Sequence, residues 1–114
     1  DNGAFFNNQR IRVSNKNEIN DCLFVTGGEF KTEIDIPYRK SGCAALDMAY
    51  VASGRYDGYF QKNLNIWDIA AGILLVKEAG GVVNDLDLSK NKNLKIIASS
   101  PNINPKLLKK INNF

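Results

Sequence analysis

The apolar positions change period several times along the chain, and each change marks an element. Asp1–Phe6 and Arg10–Val13 flank Asn7 and Asn8, a polar pair of the kind that turns a two-strand hairpin. Ser14–Asp21 is a polar loop. Cys22–Thr26 is a short apolar run ended by Gly27–Gly28 and predicts a strand. Glu29–Tyr38 has no clear period, and Glu33, Asp35 and Pro37 argue against a central strand there.

Two longer segments carry helical spacing. Ser41–Ser53 places Ala44, Ala45, Met48, Ala49 and Ala52 on one face, with Gly54 as a stop. Ile69–Ala79 places Ile69, Ile73, Val76 and Ala79 on a buried stripe, with Lys77 and Glu78 outward and Gly80–Gly81 at its end. Between them Tyr56–Phe60 alternates as a strand does. Val82–Leu86 and Lys95–Ser99 predict two more strands. "NPKLLKKI" opens a last helix, with Asn104 as N-cap and Pro105 at the first position. Strands alternating with helices predict an α/β fold, a layered mixed β-sheet with packed helices.

Composition narrows the function. A chain of 114 residues suits one small domain, and 44% hydrophobic with 24% charged residues is globular rather than disordered. The net charge of +3 is scattered, so nucleic-acid binding is not expected. No segment has the ~18 apolar residues of a membrane span. "DNGAFFNNQR" lacks the apolar run of a signal peptide. Two cysteines, Cys22 and Cys43, and no histidine argue against an ordinary zinc site and exclude any histidine general base. With Cys43 placed inside an apolar helix, reduced thiols and a cytoplasmic location are the expectation.

Two stretches could carry chemistry. In "RKSGCAALDMAYVASGRYDGYF", Gly42, Cys43, Ala44 and Ala45 put small side chains on a first helical turn. The backbone N–H groups there have no internal partner and lie at the positive end of the helix dipole. A phosphate or hydroxyl-rich ligand could approach them; equally, small residues let a helix pack tightly on its neighbour. In "NLNIWDIAAGILLVKEAGG", Asp68 stands directly before an apolar helix. It reads as an N-cap, worth ~1 kcal/mol. It also reads as a carboxylate for a hard cation such as magnesium, shielded by Trp67. Asp47, Asp57, Asp85 and Asp87 could join it, and the sequence does not place them.

These residues resemble a family. "SGCAALDMAYVASGRYDGYF" followed by "NIWDIAAGILLVKEAGGVVND" is similar to the C-terminal half of the inositol monophosphatase family, magnesium-dependent phosphomonoesterases. The opening "GAFFNNQRIRVS" resembles that family's mid-chain hairpin, so the resemblance covers essentially the whole sequence. It implies that residues 1–114 form the C-terminal domain of such a fold. It implies that Asp68 is a magnesium ligand that also approaches the substrate hydroxyl. Gly42, Cys43 and Ala44 match the stretch that contacts the sugar alcohol. Gln61, seven positions before Asp68, stands where inositol-specific members carry a glutamate.

Two departures accompany the match. The family's metal-binding glutamate and its "DPIDGT" segment do not occur in the chain. The stretch from Gly27 to Arg39 is too short for the helix the family usually has there. The resemblance therefore implies a phosphomonoester as partner only if an N-terminal half completes the site, with no activity from these residues alone. It also implies a homo-oligomer, since the family commonly dimerises. The alternative is a non-catalytic structural or interaction domain left by a truncated or degenerate gene.

Overall fold

Strand residues here alternate between two buried faces, and that alternation sets the architecture. The structure, a computed structural model, describes residues 3–28, 34–87 and 89–111. Strands β1 (Ala4–Phe6) and β2 (Gln9–Ile11) form an antiparallel hairpin of their own, with Ala4 opposite Ile11. Asn7 and Asn8 turn it at φ 52° and 66°, the left-handed pair that matches strand twist. Asp1 and Asn2 of the expected first strand lie outside the described residues.

The remaining strands are β3 (Phe24–Thr26), β4 (Tyr38–Lys40), β5 (Gly58–Leu64), β6 (Val82–Val83) and β7 (Leu94–Ser99). They make one sheet in the order β4-β3-β5-β7-β6. β3 is parallel to both β4 and β5, while β7 is antiparallel to β5 and β6. Helices α1 (Ala44–Ala52) and α2 (Ile66–Glu78) cover one face and α3 (Asn104–Lys110) covers the other. The expected α/β layers with a mixed sheet are present.

Neighbouring residues on each strand go to opposite cores. Val25, Tyr59 and Ile96 pack with Met48, Val51, Ile69 and Val76 from α1 and α2. Phe24, Phe60 and Ile97 pack with Ile103, Leu107 and Ile111 around α3. Each such buried side chain contributes roughly 1.5–3 kcal/mol from its removal from water. Two faces covered by helices explain why these strands are apolar runs rather than simple alternations.

Several boundaries differ from the sequence reading, each for a local reason. α2 starts at Ile66 with Asn65 as N-cap, so Asp68 is its third residue and not its cap. α3 is capped by Ile103, which moves Asn104 inside the first turn; the Asn104 amide instead donates to Ser99 Oγ at 3.1 Å. α1 begins at Ala44 with Cys43 as N-cap, leaving Gly42 and Cys43 before its first turn. Its buried face is Asp47, Met48, Val51 and Ala52, with Ala45 exposed.

The sheet strands differ as well. β6 stops at Val83 because at Asn84 only half of the backbone pair remains, its N–H donating to the Ile97 carbonyl at 3.1 Å, while its side chain takes the other half. Its Oδ1 accepts the Ile97 N–H at 2.7 Å and its Nδ2 donates to the Lys95 carbonyl at 2.9 Å. β5 runs on past Phe60 through the polar Gln61–Asn63 to Leu64, with a register shift between Gln61 and Leu64. In the ambiguous Glu29–Tyr38 stretch, residues 29–33 lie outside the described ones, and Tyr38 opens the edge strand β4.

Candidate functional site

The three parallel strands β4, β3 and β5 all end at one edge of the sheet. Small residues collect there: Gly27 and Gly28 after β3, then Ser41–Ala45 between β4 and α1. In sheets of this kind, ligands sit outside the carboxyl ends of the strands. A cleft of about 520 Å³ opens at this edge. Gly42, Cys43, Ala44 and Ala45 line one side, Gln61, Asn63 and Leu64 the floor strand, and Trp67 and Asp68 the start of α2. All five residues singled out from the sequence, Gly42, Cys43, Ala44, Gln61 and Asp68, are thus on one surface.

The irregularity in β5 shapes that surface. Asn63 has φ 63°, and the strand carries an extra residue between the Gln61–Ile96 and Leu64–Leu94 pairs. A bulge of this kind bends the strand and re-aims its side chains. The bend carries the chain from the sheet into α2, which sets Asp68 across from Gly42–Ala45. Asp68 is exposed, and its negative charge in the first turn of α2 suits the helix dipole. Trp67 is 72% exposed, so it does not shield the Asp68 carboxylate as expected.

Beneath the cleft lies a polar layer that the sequence did not reveal. Tyr59 is fully buried, and its hydroxyl donates to Gln61 Oε1 at 2.6 Å. Burial pushes the Tyr59 hydroxyl pKa up, and the nearby Asp47, Asp68 and Cys43 add to the effect. Asp47 is buried on α1 with Oδ2 unpaired among the described residues. Burial raises its pKa, and a hydrogen bond from Ser41 opposes that rise. In the sequence Tyr59 is one position of the alternating Tyr56–Phe60 stretch, with nothing to single it out. The signal that could have marked it is its place two residues before Gln61, on the same face of β5.

The other acidic candidates lie elsewhere. Asp57 is buried just before β5, where its Oδ2 accepts the Leu23 N–H at 2.7 Å and pairs with Lys16 at 3.3 Å. Asp85 and Asp87 are exposed in the turn before β7. No group of three acidic, cysteine or histidine side chains could hold a metal among the described residues. Among the described residues Asp68 is the single carboxylate on the cleft lining. Magnesium holds its waters tightly and wants nearly octahedral oxygen ligands, so these residues do not by themselves fit a magnesium site. Both cysteines are free: Cys43 is exposed at the cleft, and Cys22 is buried, with a thiol pKa pushed up to about 11 by that burial.

Residues 1–113 match the family model described as the inositol monophosphatase family. The chain is 40% identical to a Nus factor SuhB of Haemophilus influenzae, a match covering 96% of this chain and 47% of that protein. It is 38% identical to an inositol-1-monophosphatase of Mesorhizobium japonicum, covering 96% and 47%. Among solved structures it resembles the extragenic suppressor protein suhB of Bartonella henselae, with a TM-score of 0.80 and 40% identity over 97% of this chain and 49% of that one. The chain spans about half the length of the curated relatives it matches. The match to the Haemophilus protein runs over 126 positions, more than the 114 residues here, so that relative carries residues with no counterpart in this chain.

Proposed function

The chain belongs to the inositol monophosphatase family, and from that premise we propose that its cleft is the alcohol-side pocket of a magnesium-dependent phosphomonoesterase. Gly42, Cys43 and Ala44 take the substrate's alcohol part at the start of α1. Gln61 hydrogen-bonds it from the floor. Asp68 approaches the ester-bearing oxygen and supplies one carboxylate to magnesium. The observation that supports this is the convergence of these five residues on one cleft at the ends of parallel strands.

On this reading the described residues supply the alcohol side of the pocket and one carboxylate, too few ligands for the chemistry. Phosphoryl transfer depends on preorganised positive charge at the transferring group. Asp68 is itself negative, and as the one carboxylate of the cleft among the described residues it recruits a cation only weakly. The chain alone therefore binds a phosphomonoester weakly and does not hydrolyse it. The cytoplasm suits its two free thiols.

The test pairs an activity with a binding measurement. Phosphate release is followed from inositol monophosphate and from a generic phosphomonoester, with and without magnesium, while backbone NMR shifts of Gly42–Ala44 report occupancy. The expected result is saturable shifts without release. Magnesium-dependent release that disappears in Asp68→Asn would overturn the inactive reading. An absence of shifts would overturn the pocket.

A second reading has its own support. Several relatives are named Nus factors, and the chain carries an apolar groove of about 430 Å³ between the hairpin and α1. A structural or interaction role that keeps the fold without the chemistry accounts for that groove and for the single carboxylate. It is separated from the first reading by the same titration, which it expects to leave Gly42–Ala44 unmoved.

A further inference from the structure

The Gln61 amide is held at one end. Its Oε1 accepts the Tyr59 hydroxyl at 2.6 Å, and Tyr59 is fully buried on the same strand. Burial and the neighbouring negative charges keep that phenol protonated, so it remains a donor. The same oxygen lies over Gly27, which is itself buried. A Cβ placed on Gly27 would come within 2.5 Å of Oε1 and 2.8 Å of the Ser41 carbonyl. The amide nitrogen lies toward the exposed Gly28, where a Cβ would stand 3.5 Å from Nε2. No hydrogen bond occupies Nε2 among the described residues, and Gln61 lines the cleft.

We infer that Tyr59 is a positioning residue that fixes the Gln61 amide with its N–H donors toward the cleft, so that the ligand group opposite Gln61 is an acceptor oxygen, best a carboxylate. The inference rests on the pocket reading above and names the ligand class within it. A glutamate at this position would offer only acceptors. It would favour a hydroxyl that donates and would repel an anion. A glutamine whose oxygen is already bonded offers two donors and no charge. A hydroxyl can accept one of them, but a carboxylate accepts through a charge-assisted bond of about twice the strength. The phosphomonoesters that suit the pocket are then those of a hydroxy acid rather than of a simple polyol.

The experiment uses the ¹⁵N-labelled chain and two esters that differ at one carbon, glycerol 3-phosphate and 3-phosphoglycerate, with CH₂OH in one and carboxylate in the other. Without ligand, the Gln61 side-chain NH₂ pair is expected at shifts distinct from those in Tyr59→Phe. With ligand, 3-phosphoglycerate is expected to bind about tenfold more tightly. Gln61→Glu is expected to reverse that order. The reversal is read without Tyr59→Phe and so decides the ligand class even if that variant does not fold. An NH₂ pair unchanged by Tyr59→Phe, or equal or weaker binding of the carboxylate ester, overturns the inference. If both esters shift Gly42–Ala44 without preference, the inference falls and the pocket stands. If neither shifts them, both fall.

Discussion

Asp68 and Asp47 sit on the first turns of adjacent helices and meet opposite surroundings. Asp68 is exposed in the first turn of α2, third in the helix rather than its cap. Asp68→Asn therefore removes a favourable charge at the helix start and no cap, and it is expected to lower stability by about 0.5 kcal/mol at low salt. Urea unfolding at low and high salt checks it, since the loss shrinks when the dipole is screened. Asp47 is buried, and its folded pKa lies above the ordinary 3.8. Between those two values the folded state holds a proton that the unfolded state has released. Asp47 thus favours folding most below pH 3.8, and that contribution is lost as pH rises through the folded pKa. Asparagine has no charge to desolvate. Asp47→Asn should gain in Tm relative to the parent as pH goes from 4 to 7, and a constant Tm difference would refute it.

Helix α2 shows how a small residue serves packing and how much of the element the sequence carried. Gly72 is buried against α1, and a Cβ there would stand 2.1 Å from Met48 Sδ and 2.9 Å from Met48 Cβ. The sulfur can swing away, but the Cβ is fixed to the α1 backbone. Alanine gains about 1 kcal/mol in helix propensity over glycine, while overpacking costs about 1–3 kcal/mol. Gly72→Ala is expected to destabilise by about 1 kcal/mol, measured by urea unfolding. Gly42→Ala meets nothing within 4 Å and is expected to leave stability unchanged. The helix itself was legible because Ile69, Ile73, Val76 and Ala79 keep one period. Its first turn was not, because Trp67 is exposed and Asn65 caps without a side-chain hydrogen bond. The C-terminal half of β5 was hidden for a related reason. Gln61–Asn63 is polar because it bulges into the cleft rather than packing in a core. The site residues Gln61 and Asp68 were reached through a motif resemblance, whereas Tyr59 and Asp47 needed the fold to bring their side chains under the cleft.

At the scale of the whole molecule, the hairpin β1–β2 is the weakest-supported part. A two-stranded sheet is marginal in water unless something covers it. Successive strand residues point to opposite faces, yet Phe5 is 54% exposed and Phe6 68%. Neither face of the hairpin tip is therefore fully covered by its own chain. Phe5, Phe6, Leu46, Tyr50 and Leu75 line one groove, which extends the exposed apolar surface onto both helices. Contiguous apolar surface of this kind favours association, and a net charge of +3 opposes it only weakly. We expect a second copy of the chain to cover this groove, making the protein a homo-oligomer. Light scattering after size exclusion should give at least twice the 12.7 kDa chain mass. Phe6→Ser should shift the population toward monomer at a given concentration while leaving the folded spectrum intact, because Phe6 contributes little to the interior. A monomer at high concentration, or an oligomer indifferent to Phe6→Ser and to a paired Phe5→Ser, would place the association elsewhere or remove it.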